Sequence, residues 1–154
     1  MKRFIPGTAS LALLALTLAV AGCKSADTAG VGSLASVVIT GHTAEEVRQT
    51  TVEVFGWNDY TQVSDLTFEK KGTRQDLVTY GSWGADSVWI KMRVHLTTKS
   101  ELRQILGCDV YILEKHGDGF MGSERKLLFA KGDECKKILD QIKQRLSLAD
   151  PKPS

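Results

Sequence analysis

The stretch SVWIKMRVHLT, at residues 87–97, alternates apolar and polar side chains more regularly than any other part of the chain. Its apolar positions are Val88, Ile90, Met92, Val94 and Leu96. Between them stand Trp89, Lys91, Arg93, His95 and Thr97. Because an extended backbone places successive side chains on opposite faces, this pattern predicts a β-strand that buries one face. The other face is aromatic and basic.

A second stretch with the same alternation follows at residues 103–115. One face of it carries Leu106, Cys108, Val110 and Ile112, and the other carries Asp109, Tyr111 and Leu113. Three further strands are predicted at residues 35–40, 62–70 and 76–83, because short runs with β-branched or alternating apolar residues favour extended structure.

Two amphipathic helices are predicted beside these strands. Thr43 and Glu46 have the spacing of a capping box, at the start of a helix that extends to about Phe55. The second helix begins near Asp133, which is a good N-cap residue. Its apolar stripe comprises Cys135, Ile138, Ile142 and Leu146. Residues 127–129 fit either a short strand or a helical turn.

The predicted elements follow the order β-α-β-β-β-β-α. Strands joined by short turns pair antiparallel, so this order predicts a two-layer α+β domain with a mainly antiparallel sheet of about five strands packed against two helices. The domain spans residues 35–148, and residues 149–154 form a tail with two prolines. A chain of 154 residues with 42% hydrophobic and 25% charged residues suits one globular domain.

The amino terminus has the composition of a secretory signal peptide. Lys2 and Arg3 precede a segment that is uncharged until Lys24. The apolar core of this segment, at residues 11–20, is shorter than the roughly 20 residues that span a membrane. Without Lys2 and Arg3, 18 basic residues face 18 acidic ones, and this balance gives no support to nucleic-acid binding. The segment ends with Val-Ala-Gly-Cys at residues 20–23.

This ending resembles the lipobox of bacterial lipoproteins, in which a diacylglyceryl group is placed on the cysteine before signal peptidase II cuts ahead of it. The resemblance implies that residues 1–22 are removed and that Cys23 carries the lipid. Residues 23–34 would then form a lipidated, flexible tether. Lys24 is not aspartate, which in that class implies an outer-membrane location facing the periplasm. The alternative is an incidental Cys23 in a soluble, secreted protein.

Secretion also determines how the other two cysteines are interpreted. The periplasm is oxidising, so Cys108 and Cys135 predict a disulfide between the apolar face of a strand and the apolar stripe of the last helix. Closing this loop would stabilise the fold by about 3 to 4 kcal/mol in the chain-entropy model. The alternative is that both cysteines are reduced and pack as small hydrophobic residues.

No motif of catalysis or metal binding is present in the sequence. His42, His95 and His116 are candidate general bases, but their positions are typical of surface histidines, and no serine has a Gly-x-Ser-x-Gly context. Glu114, His116 and Asp118 match no zinc or calcium pattern. The sequence therefore predicts no catalytic residue, metal or cofactor.

Aromatic residues indicate a candidate partner-binding surface. Trp89 shares the outward face of its strand with Arg93, and Tyr80 and Trp83 are predicted on the adjoining strand. Phe120 lies in a glycine-containing segment that could form a mobile loop. Trp, Tyr and Arg are enriched at the centres of interfaces. The alternative is that these rings pack against the protein itself or pair across strands.

The sequence therefore favours a non-enzymatic, membrane-anchored envelope lipoprotein whose small domain binds another envelope component, with a protein the expected partner. One alternative is a periplasmic carrier of a small apolar ligand, which requires an enclosed apolar cavity. Another is an envelope hydrolase, which requires a histidine and an acid that converge in a cleft.

Overall fold

The computed structural model describes residues 32–116 and 120–149, which contain six strands and three helices. The predicted signal peptide at residues 1–22, the tether up to residue 31 and the tail from residue 150 lie outside these residues. The strands are β1 (Ala35–Thr40), β2 (Thr61–Ser64), β3 (Thr67–Lys71), β4 (Ser87–Ser100), β5 (Arg103–His116) and β6 (Phe120–Leu127). The helices are α1 (Ala44–Trp57), α2 (Arg74–Tyr80) and α3 (Gly132–Ala149).

Every strand pair is antiparallel, and β5 lies at the centre of the sheet. The strand order is β1-β5-β4-β3-β2, and β6 also pairs with β5. β4 pairs with β5 from Ser87 to Ser100, whereas β1 and β6 share the other edge of β5. The predicted α+β class with a mainly antiparallel sheet is confirmed.

The hydrophobic core lies between one face of the sheet and the helices. β4 contributes the apolar face that its alternation predicts, since Val88, Ile90, Met92 and Val94 are buried and Leu96 packs partly buried against the core. On the helical side, Phe55 of α1 stacks on Phe68 of β3 with 4.1 Å between ring centroids. The buried stripe of α3 comprises Cys135, Ile138, Leu139, Ile142 and Leu146.

Both predicted helices form. Thr43 is the N-cap of α1, and its hydroxyl accepts the Glu46 N–H while the Glu46 carboxylate accepts the Thr43 N–H at 2.7 Å. α3 begins one residue before Asp133, after Lys131 adopts a positive φ of 65°. Asp133 therefore lies in the first turn of α3, and the prediction that it is the N-cap is wrong.

The strand predicted at residues 76–83 is wrong, because residues 74–80 form α2. Thr73 caps this helix, and the carboxylate of Asp76 accepts hydrogen bonds from the backbone N–H and the hydroxyl of Thr73, both at 2.8 Å. This second capping box begins a helix where Val78 and Thr79 locally favour a strand. Consequently Tyr80 and Trp83 do not lie on a strand beside Trp89.

The strand predicted at residues 62–70 is instead a hairpin of β2 and β3. The chain turns at Asp65 and Leu66, where Leu66 adopts a positive φ of 47°. A leucine is unfavourable in this conformation, but its side chain is buried in the core. Burial of Leu66 thus stabilises a turn that no glycine or asparagine marks.

The segment after β5 is a strand and not a loop where the structure describes it. β6 pairs with residues 110–116 of β5, and its last residue, Leu127, lies opposite Val110. Of the ambiguous residues 127–129, only Leu127 therefore belongs to a strand. Leu127 ends the strand, and the chain bends at Leu128 and Phe129. Residues 123–126 of β6 are polar and exposed, as is common in a strand at the edge of a sheet.

A partly buried ionic cluster joins β3, α2 and α3. Glu134 accepts hydrogen bonds from Lys70 Nζ at 2.5 Å and from the Tyr60 hydroxyl at 3.1 Å. Lys131 Nζ lies 3.3 Å from Glu134 and 2.8 Å from Asp76. Burial alone would raise the pKa of Glu134 and of Asp76, but the lysines and the other hydrogen-bond donors hold both pKa values below their ordinary range.

Cys108 and Cys135 join the centre of the sheet to the helical layer. Their sulfur atoms lie at bonding distance, 2.11 Å apart, with a Cα–Cα separation of 6.3 Å, and both side chains are fully buried. The link spans 27 residues of sequence and connects β5 with the first turn of α3.

We expect the double substitution Cys108→Ala and Cys135→Ala to lower the free energy of unfolding by about 3 kcal/mol, because the unfolded chain loses a long covalent loop. Urea unfolding with and without a reducing agent measures this. Reduction should destabilise the parent and leave the double variant unchanged. A parent whose unfolding midpoint does not respond to reduction would contradict the disulfide.

We expect Glu134→Gln to lower the free energy of unfolding by about 1 to 2 kcal/mol at neutral pH, since it removes the charge partner of Lys70 and one of the two carboxylates that pair with Lys131. A carboxylate with a lowered pKa stabilises the fold above its unfolded-state pKa, and this stabilisation is lost as pH falls through the folded-state pKa. The parent should therefore lose more stability than the variant below about pH 4.5.

Asp140→Asn is the matched control, because Asp140 pairs with Lys136 on the exposed side of the same helix. An exposed pair of this kind contributes between roughly 0 and 1 kcal/mol. Denaturant unfolding at several pH values compares the three proteins. Equal pH dependence in the parent and in Glu134→Gln would show that the cluster contributes nothing to acid sensitivity.

Candidate interaction surface

The two faces of the sheet differ in what covers them. All three helices place apolar side chains against the core on one face. The register of the strands brings a second set of side chains together on the opposite face. We call this set the outer face, and it comprises Glu69, Trp89, Lys91, Arg93, His95, Asp109, Tyr111, Leu113, Lys115, Glu124 and Lys126.

Two aromatic rings on the outer face each contact a cation. Lys115 Nζ lies 4.3 Å from the centroid of the Trp89 ring, and Arg93 Cζ lies 4.4 Å from the centroid of the Tyr111 ring. These distances are within the range of a cation–π interaction. Both rings are half-buried, so their edges and neighbouring cations remain accessible to a partner.

Glu124 of β6 links the cations of β4. Its carboxylate lies 2.5 Å from Arg93 Nη2 and 3.0 Å from Lys91 Nζ, and Lys91 also lies 3.2 Å from Glu69. Burial alone would lower the pKa of Lys91, but its hydrogen bonds to Glu124 and Glu69 raise that pKa above its ordinary value. Lys91 therefore stays charged, and the ion pairs restrict the side chains around Tyr111.

Asp109 occupies the point on β5 where pairing passes from β1 to β6. Its side chain is 8% exposed, and its oxygens lie 3.1 Å from His95 Nε2 and 3.1 Å from Lys126 Nζ. The same carboxylate accepts the backbone N–H of Leu34 at 3.2 Å. Asp109 thus shares this N–H with the Cys108 carbonyl, and its contacts with Leu34, His95 and Lys126 compensate for the burial of its carboxylate.

The two candidate general bases whose side chains the structure describes, His42 and His95, do not converge. His95 is half-exposed and hydrogen-bonds only to Asp109 among the described residues. The expectation that His42 is a surface histidine is wrong, because its side chain is buried just before α1, with Nδ1 3.9 Å from Glu46. The side chain of His116 is not described by the structure. The His95–Asp109 pair stands on an open sheet surface, where it helps to join β4, β5 and β6.

The structure brings together two of the five residues proposed for partner binding, Trp89 and Arg93. Tyr80 is instead on α2, partly buried against the core, and its carbonyl accepts a hydrogen bond from Arg125 at 2.8 Å. Trp83 is fully exposed in the loop between α2 and β4. The structure does not describe the side chain of Phe120.

Tyr111 is an aromatic residue of the outer face that does not belong to the five residues proposed for partner binding. Its alternation with Cys108 and Val110 places it correctly on the outward face of β5. Its contact with Arg93, however, depends on the register that pairs Lys91 with Tyr111, which brings Arg93 next to the ring on the neighbouring strand. Register is a tertiary property, so the alternation alone could not identify this pair.

Comparison with protein-family models, curated proteins and solved structures finds no significant match to this chain. Among residues 32–116 and 120–149, no helix has the length and hydrophobicity needed to cross a membrane. The same residues contain no group of three or more His, Cys, Asp or Glu side chains arranged to hold a metal ion.

Proposed function

We propose that this protein is a lipid-anchored component of the cell envelope whose domain binds another envelope protein through the outer face. Two observations support the proposal. The sequence at residues 20–23 resembles a lipobox and would attach lipid to Cys23. The main support for the binding role is the composition of the outer face. Two aromatic rings and the cations that contact them lie there, on the side of the sheet opposite the helices.

The composition of the outer face suits a protein partner. Trp, Tyr and Arg are the residues that contribute most at interface centres, and the face places Trp89, Tyr111 and Arg93 on adjacent strands. Their ion pairs and ring contacts hold long side chains in one arrangement before binding. Less conformational entropy is then lost when a partner docks.

The charge of the outer face favours a protein over a polyanion. Lys91 and Arg93 are paired with Glu124, and Lys126 is paired with Asp109. A surface that binds nucleic acid or another polyanion relies on cations available to neutralise phosphates. A mixture of charges that are mostly held in ion pairs instead gives directional complementarity to a protein surface.

The interior favours this role over that of an apolar carrier. A carrier requires a cavity of several hundred Å³. The space between sheet and helices is occupied by side chains that are at most 1% exposed, including Phe55, Phe68, Met92, Leu139 and Ile142. A ligand in this space would have to displace packed side chains.

A photo-crosslinking residue at position 111 tests the proposal in living cells. Benzoylphenylalanine replaces Tyr111 with another aromatic side chain, and its reach covers the centre of the outer face. The matched control carries the same residue in place of Trp57, which is an aromatic residue 63% exposed on the helical side. We expect a discrete crosslinked species from position 111 and none of the same mass from position 57.

Adding Trp89→Ala to the position-111 variant should reduce the crosslink about tenfold, because loss of a central aromatic residue typically weakens an interface by 1.4 kcal/mol or more. Circular dichroism of the variant checks that the domain is folded. Crosslinking that is equal at positions 111 and 57, or that is unchanged by Trp89→Ala, would contradict binding through the outer face.

A further inference from the structure

The described chain enters the fold at the gap between β1 and β6. Leu34 donates its N–H to the Cys108 carbonyl at 3.0 Å, and the Gly32 carbonyl accepts a hydrogen bond from Lys126 Nζ at 3.3 Å. Leu34 also packs beside Gly132 at the start of α3, where an added Cβ would lie 3.6 Å from it. Residues that were predicted to end the tether are therefore held against the folded body.

An exposed apolar pair lies next to this point. Leu128 and Phe129, in the bend between β6 and α3, are 68% and 91% exposed. They line one surface groove together with Ser33 and Leu34, so they are adjacent to the entering chain. Two consecutive large apolar side chains in water mark a contact surface more strongly than a single one does.

The covalent length of the chain limits how far this pair can lie from a lipid attached to Cys23. Gly32 follows Cys23 by nine residues. Nine residues extend to at most about 30 Å and have a root-mean-square span of roughly 15 to 18 Å if flexible. A domain of this size is roughly 35 Å across, so the edge with Leu128 and Phe129 is held closer to the membrane than the β2 edge.

We propose that Leu128 and Phe129 insert into the phospholipid surface as a second membrane contact beside the acylated Cys23. This inference rests on the lipid anchor of the proposed function. Phenylalanine and leucine partition favourably into the region between headgroups and acyl chains, and a second weak contact next to an anchor is effective because the anchor already supplies proximity. The contact turns the β1 and β6 edge towards the membrane and leaves the outer face open to the periplasm.

The experiment uses the full acylated protein in vesicles of phosphatidylethanolamine and phosphatidylglycerol. Phe129→Cys introduces one reactive thiol, since Cys23 is acylated and Cys108 and Cys135 lie at bonding distance. An environment-sensitive fluorophore is attached there, and quenching is measured with nitroxide groups carried on the lipid acyl chains. The matched control is Leu148→Cys, which is 72% exposed near the other end of α3, about 24 Å along the helix from Gly132.

We expect the label at position 129 to be quenched several-fold more strongly than the label at position 148, and independently of the ratio of protein to lipid. Equal quenching at both positions would overturn the proposal. Quenching that disappears on dilution with lipid would indicate contact with a second copy of the chain and would also overturn it. A label that is shielded from water but not quenched by lipid would be covered by protein, and this result would also overturn the proposal.

Flotation of the labelled protein with the vesicles separates this inference from the function on which it rests. Protein that floats while the label at position 129 stays unquenched retains its anchor, so only the second contact fails. Protein that does not float lacks the anchor, and both the anchor and the second contact are then rejected.

Discussion

Strand β5 is the constraint on which the rest of the fold depends, because three other strands hydrogen-bond to it. β4 pairs with it along its full length, whereas β1 and β6 divide its other edge on either side of Asp109. The sulfur of Cys108 joins this strand to α3. Any shift of β5 by one residue would turn its core side chains outward and separate Cys108 from Cys135. The single register therefore fixes the core, the cysteine link and the outer face together.

The same arrangement places the hydrophobic core and the outer face on opposite sides of the sheet. The helices and their buried stripes close one face of the sheet, so the other face can carry charged and aromatic groups without disturbing the core. The gap at Asp109 admits the entering chain between β1 and β6 and places Leu128 and Phe129 beside it. An anchor on this edge and a partner on the outer face would not compete for the same surface, which is why the two proposals are compatible.

The sequence predicted the long strands, the two longer helices and the cysteine pairing because each depends on a local or strongly periodic pattern. α2 was missed because Val78 and Thr79 favour extended structure, and its seven residues are too few to show helical periodicity. The turn at Leu66 carries no turn residue, and its stability comes from burial in the completed fold. The composition of the outer face was predicted in part, since the alternation of β4 and β5 turns Trp89, Arg93 and Tyr111 outward. Its remaining contacts require the register of β4, β5 and β6.

The claim most central to this account is that the domain is held at a membrane by lipid on Cys23. The most direct test is the intact mass and membrane fractionation of the full-length protein and of a Cys23→Ser variant, both expressed in a bacterial host. We expect a membrane-bound chain that begins at Cys23 and carries the mass of acyl chains, and we expect the substitution to abolish both properties. An unacylated, soluble product from both proteins would contradict the account.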